Sequence, residues 1–166
     1  GYDKQDDALK AYDEGKCDAY TADQSQLYAL KLRLSKPDDN LILPEVISKE
    51  PLGPVVRSDD AQWFNIVRWT LFALINAEEL DLRQPNIGDE LKSNKKPAAR
   101  RLLGLEGTYG ADLGLDKDWA ARAVQAAGNY GEIFERNLGQ TSGLAIERGL
   151  NALWSSNGIL YAPPVR

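Results

Sequence analysis

The run from Asp60 to Leu80, DAQWFNIVRWTLFALINAEEL, constrains the fold more than any other stretch of the chain. Ser58, Asp59 or Asp60 can cap it, because short polar side chains at a helix start accept backbone amide hydrogen bonds. Trp63, Ile66, Val67, Thr70, Leu71, Leu74 and Ile75 then recur at helical spacing and form a broad apolar face. The length predicts about five turns of helix.

The segment before this helix alternates. Asp6 to Gly15 places Ala8, Leu9, Ala11 and Tyr12 on one helical side, with acids at the start and glycine at the end. Lys16 to Thr21, KCDAYT, is a brief β-prone run. Asp23 to Leu34 returns to helix with Leu27, Leu30 and Leu34 in one stripe. Helix, strand and helix in succession predict an α/β unit whose parallel strand is covered by helices. A turn at Pro37 to Asn40 leads to two apolar runs, Leu41 to Ile47 and Leu52 to Arg57, interrupted by Pro44, Pro51, Gly53 and Pro54. Proline brings no amide donor to a sheet ladder, so these runs suit strand ends, edge strands or an interdomain crossover.

Beyond Leu80 the pattern predicts short helices at Ile87 to Leu91, Ala98 to Leu103, Asp118 to Ala127, Tyr130 to Leu138 and Leu144 to Trp154, separated by Gly, Pro or Asn. Trp119, Tyr130, Phe134 and Trp154 read as packing residues. The tail ILYAPPVR reads as extended, because its two prolines oppose helix.

The 166 residues are 43% hydrophobic, enough for a packed core. The net charge of −5 is local: residues 1–60 carry 13 acids and 8 bases, whereas residues 61–166 carry 12 of each. That balance argues against a nucleic-acid partner, since phosphate backbones attract basic surfaces. No apolar run approaches the roughly 20 residues that span a bilayer, and the opening GYDKQDDALK lacks the apolar core of a signal peptide, so any export signal is expected to have been removed or lost. The chain has no histidine, which removes Ser-His-Asp and Cys-His catalysis and most zinc sites. Cys17 has no internal partner; it is either a small buried hydrophobe or half of a disulfide to another cysteine.

Candidate motifs are few. The acid pairs Asp6 with Asp7, Asp38 with Asp39 and Glu78 with Glu79 stand at helix or turn positions where carboxylates are ordinary. Lys92, Lys95, Lys96, Arg100 and Arg101 lack interleaved aromatics and read as a solvated surface. Glycines 104, 107, 110 and 114 recur, but no strand precedes them and no Lys-Ser/Thr follows, which opposes a phosphate loop. Asp23 stands where KCDAYT gives way to the helix QSQLYAL. Two uses are open to it there: helix N-cap, or a carboxylate facing a ligand ammonium group at the carboxyl end of a strand.

The strings GKCDAYTADQSQLYAL and LPEVISKEPLGPVVRSDDAQWFNIVRWTLFALINAEEL resemble the solute-binding proteins of polar amino-acid ABC transporters. LLGLEGTYGADLGLDKDWA, AAGNYGEIFERNLG and RGLNALWSSNGILYAPPVR resemble the carboxy-terminal extension of the general L-amino-acid-binding subfamily. The resemblance runs through essentially the whole chain. It implies an incomplete α/β fold of the two-lobed, type II periplasmic-binding-protein kind with a helical carboxy-terminal extension. Residues 1–47 would end the second lobe, 48–53 form the interlobe crossover, 54–85 return to the first lobe, and 86–166 make the extension.

By the same resemblance, Asp18 and Asp23 fall on an Asp-x-x-x-x-Asp pattern whose second member grips the ligand α-ammonium. Asp18 is then structural, and Thr21 lies near the site. The resemblance also implies a Cys17 left from a disulfide with an earlier second-lobe cysteine, which suits an oxidising periplasm. The expected partners are a free L-amino acid and a membrane permease, with self-association of the truncated chain a further possibility. Neither catalysis nor a metal or cofactor is expected. The rival readings are a ligand sensor or a dehydratase of the same fold, or a helical interaction module.

Overall fold

The computed structural model describes every residue from Gly1 to Arg166 and divides them into two compact units, Gly1–Leu52 and Gly53–Arg166.

In the first unit, α1 (Gln5–Asp13) carries Asp6 and Asp7 in its first turn and Lys10 in its last, the order that complements a helix dipole. The amides of Gly15 and Lys16 close its end on the carbonyls of Tyr12 and Ala11. α2 (Gln24–Lys31) packs Leu30 against Leu9 and Leu34, with Tyr12 and Tyr20 around them. The Tyr12 and Tyr20 rings meet edge to face at 6.0 Å. The Tyr12 hydroxyl donates to Asn40 Oδ1 at 2.6 Å, and Asp13 accepts from both the amide and hydroxyl of Ser35 at 2.9 Å, so the turn at Pro37–Asp39 is tied back to α1.

The strand expected at Lys16 to Thr21 does not form. Lys16 and Asp18 are bends, and no residue of the segment pairs with a second strand. Leu41–Ile47 and Leu52–Arg57, for which the sequence also leaves an interdomain crossover open, form no strand pairs either, and Leu41, Ile47 and Val55 are 80%, 85% and 95% exposed. Extended residues become strands only when a second strand completes their hydrogen-bond ladder, and the only β-bridge in the chain joins Leu153 to Leu160.

The second unit is built on α3 (Ala61–Glu79). Asp60 is its cap, accepting the Trp63 amide at 2.8 Å. The face it buries is narrower than the sequence pattern suggests. Trp63 is half exposed, whereas Ala73, Ile75, Asn76 and Ala77 are buried. Alanines at the contact let neighbouring helices approach closely. Around them gather α4 (Ile87–Ser93), α5 (Pro97–Leu102, with proline at its first turn), α6 (Trp119–Ala127) and α7 (Tyr130–Asn137). Leu82, Ile87, Leu102, Leu103, Trp119 and Val124 fill the centre.

A reciprocal capping box starts α7: the Asn129 side chain accepts the Glu132 amide, and Glu132 accepts the Asn129 amide. Asn129, itself buried, also donates to the Leu82 carbonyl at 2.9 Å.

The helix expected at Leu144 to Trp154 is absent. Gly143, Ala145 and Gly149 take left-handed φ values of 81°, 53° and 49°, which break a right-handed helix, and only single 3-10 turns remain at Gly149–Asn151 and Trp154–Ser156. The tail from Ile159 is extended, as its prolines require. It is held by Asn76, whose side-chain amide donates to the carbonyls of Phe72 and Pro163, while Val165 enters the core.

Candidate ligand-binding site

Asp23 is the N-terminal flanking residue of α2, half-buried, with φ −55° and ψ 142°. Its carbonyl accepts the Leu27 amide at 2.9 Å and so begins the helix. Its carboxylate makes no capping hydrogen bond. Of the two uses the sequence leaves open, the structure therefore does not show the cap. The carboxylate remains available at a helix start, where exposed amides and the helix dipole favour negative charge.

Other charges of the first unit pair with one another. Lys16 and Glu14 pair at 2.6 Å; the hydrogen-bonded ammonium holds the Glu14 carboxyl below its usual range, and the carboxylate holds the Lys16 amine above its own. Arg33 donates to Asp6 at 2.8 Å. Asp18 and Thr21 are exposed, and Cys17 is a half-buried free thiol.

Elsewhere the basic cluster is occupied with structure. Arg100 bridges to Glu106 at 2.6 Å and to the Asn94 carbonyl, and Lys92 stands 3.7 Å from Asp89. Trp119 and Phe134 are buried and Tyr130 is half-buried, whereas Trp154 is half exposed and packs edge to face on Tyr161. No cluster of acids and cysteine with metal-binding proximity occurs in the chain. Glu78, which the sequence presents as an ordinary helix carboxylate, instead receives both terminal nitrogens of Arg148 at 2.9 and 3.1 Å. The Arg148 guanidinium lies over the rings of Tyr130 and Phe134 at 5.5 and 5.2 Å. The two residues are 70 positions apart, so no local pattern announces the pair.

No family model matches the chain. A solved structure does: a periplasmic binding protein of an ABC transporter from Brucella ovis, with glutathione bound, superposes with a TM-score of 0.92 at 54% identity, over 99% of this chain and 52% of its own. The class is thereby defined as a periplasmic binding protein, here represented by an incomplete type II fold. A general L-amino-acid-binding periplasmic protein of Rhizobium johnstonii is 61% identical over 158 residues, 94% of this chain and 46% of that protein. A glutamate/glutamine/aspartate/asparagine-binding protein of Rhodobacter capsulatus is 51% identical over 152 residues, 92% of this chain and 45% of that protein. The chain belongs to the periplasmic solute-binding proteins of amino-acid ABC transporters, and it spans about half the length of the relatives it matches.

Proposed function

We propose that this chain is the part of an amino-acid-binding protein that supplies the carboxylate for the ligand's α-ammonium group, and that this carboxylate is Asp23. The observation that carries the reading is the half-buried Asp23 side chain, which stands at the start of α2 without bonding the helix amides. A charge-assisted hydrogen bond from an ammonium group to such a carboxylate strengthens as water is excluded.

The reading is supported by what the relatives hold in common. The names of two include amino acids, and the Brucella ovis protein was solved with glutathione. Glutathione presents a free α-ammonium and α-carboxylate on its γ-glutamyl end, so one acidic grip serves both kinds of ligand. The ligand class is accordingly L-amino acids and γ-glutamyl compounds with that free head group. Capture is reversible and non-catalytic, and the loaded protein delivers its ligand to an ABC permease. In the same reading residues 1–47 close the second lobe, 48–53 cross between lobes, 54–85 return to the first lobe, and 86–166 form the helical extension.

Isothermal titration provides the test. In a full-length family member carrying this chain as its half, Asp23→Asn weakens binding of L-glutamate and of glutathione about a hundredfold, the size of a buried charge contact. The 166-residue chain alone binds either ligand weakly, because one ionic contact does not offset the cost of association. Unchanged affinity in the variant, or micromolar affinity in the chain alone, sinks the proposal.

A further inference from the structure

Four segments of the second unit meet at a cleft of about 140 Å3: Trp69 from α3, Tyr109 to Leu113, Trp119 from α6, and the tail residues Val165 and Arg166. Its floor is apolar, with Leu113, Trp119 and Val165 buried and Trp69 and Tyr109 half-buried. A cavity of roughly 150 Å3 accepts a benzene ring, so this cleft has room for one ring-sized group.

The aromatic walls are fixed by the glycine series that the sequence displays without explaining. Gly107 has φ 78°, and a Cβ placed on it would lie 2.3 Å from the Tyr109 ring. A Cβ on Gly110 would lie 2.3 Å from the Asp116 carbonyl oxygen and 2.9 Å from Cδ1 of Trp119. Both glycines thus let the loop close onto the rings that line the cleft. Trp69 is set in turn by Phe72, which meets it edge to face at 5.6 Å and 89°. This accounts for a motif whose phosphate-loop reading the sequence itself opposes.

Two charges of opposite sign stand at the same cleft. Asp112 and Arg166 are both among the residues that line it, and both are exposed. An anion alone meets repulsion from Asp112, and a cation alone meets repulsion from Arg166. A molecule carrying both charges satisfies both groups. We propose that this cleft is a binding site for a small zwitterion of the α-amino-acid type, whose single apolar ring rests on Trp69, Tyr109 and Trp119 while its ammonium and carboxylate face Asp112 and Arg166. None of these residues belongs to the Asp23 reading, so the two proposals stand or fall separately.

The test is an NMR titration of the 166-residue chain, following the four tryptophan indole N–H signals. The probes are L-phenylalanine, phenethylamine, which lacks the carboxylate, and 3-phenylpropionate, which lacks the ammonium. L-Phenylalanine shifts the Trp69 and Trp119 signals saturably with a Kd in the millimolar range, as a ligand of its size on an open cleft allows, and leaves Trp63 and Trp154 in place. Each singly charged analogue binds about threefold to tenfold more weakly, the worth of one exposed polar contact. Asp112→Asn weakens phenylalanine and phenethylamine but not phenylpropionate, and Arg166→Gln weakens phenylalanine and phenylpropionate but not phenethylamine. Asp23→Asn changes nothing in this titration. The proposal is overturned if phenylalanine produces no saturable shift, if the shifts fall on Trp63 or Trp154 instead, or if Asp112→Asn leaves its affinity unaltered.

Discussion

The two units close their cores by different means. In Gly1–Leu52, two helices and the turn after them share the buried side chains of Leu9, Leu30 and Leu34, and much of the remaining order comes from polar links, the part-buried Tyr12 to Asn40 and the exposed Asp13 to Ser35 and Arg33 to Asp6. In Gly53–Arg166, a central helix is surrounded by Leu82, Ile87, Leu102, Leu103, Trp119 and Val124, and its polar groups are bonded inside the packing, as Asn76, Asn129 and the Glu78–Arg148 pair show. Apolar burial contributes in proportion to area, whereas exposed polar pairs contribute little. The first unit is therefore the part that opens readily, and it is the part that carries Asp23. Ligand-gripping segments are drawn from the less stable end of a structure in many proteins.

The sharpest way to break this comparison is a pair of truncations. Leu103→Ala removes a side chain that is only 1% exposed and should cost about 3 kcal/mol, read as a lower urea midpoint for the second unit. Leu30→Ala should cost about 2 kcal/mol, and in a core of three leucines that suffices to erase hydrogen-exchange protection across α1 and α2 while leaving α3 to α7 protected. If α3 to α7 lose protection as well, the two units do not open separately.

A smaller effect is expected from Arg148→Ala. It leaves Glu78, about one-fifth exposed, without its bidentate partner and strips the cation from Tyr130 and Phe134. Because some water reaches the site, the cost is about 2 kcal/mol rather than the full value for breaking a buried pair. Arg148→Lys should recover only part of it, since an ammonium group does not make the forked contact.

The smallest effect lies in the first unit. Glu14 has its folded pKa depressed by Lys16, so its contribution is present above the unfolded pKa and fades as pH falls through the folded one. Lys16 is raised by Glu14, so its contribution is present below its unfolded pKa and fades as pH rises through the folded one. The pair acts on the neutral plateau between these limits. Lys16→Gln should return the Glu14 titration to the ordinary carboxylate range by NMR and barely move thermal stability, because the pair is on the surface.

Local chemistry made much of this legible. Asp60 as a cap and the long helix behind it follow from residue type and spacing, and the helices near 5–13, 24–31, 87–93, 97–102, 119–127 and 130–137 fall where glycine, proline and asparagine leave room for them. The misread elements depend on distant residues. Lys16–Thr21 has strand composition, yet a strand is a property of two segments. Leu144 to Trp154 has helical spacing, but the Ile146 amide bonds the Leu138 carbonyl and Arg148 reaches Glu78, a tertiary arrangement that overrides propensity. For the candidate site, the position of Asp23 at a helix start was readable. That its carboxylate leaves the helix amides alone was not, because capping depends on a side-chain rotamer.

The hydrogen bond from Asn76 to the Pro163 carbonyl has a consequence in time. The two residues are 87 positions apart. At a synthesis rate of about 5–20 residues per second, α3 emerges several seconds before the segment that completes its polar contacts. During that interval the Asn76 amide lacks one of its acceptors, and the place of Val165 in the core is unfilled. Maturation of the second unit thus waits on a segment made well after α3, and removing residues 159–166 should delay or prevent its final consolidation even though every helix is already present.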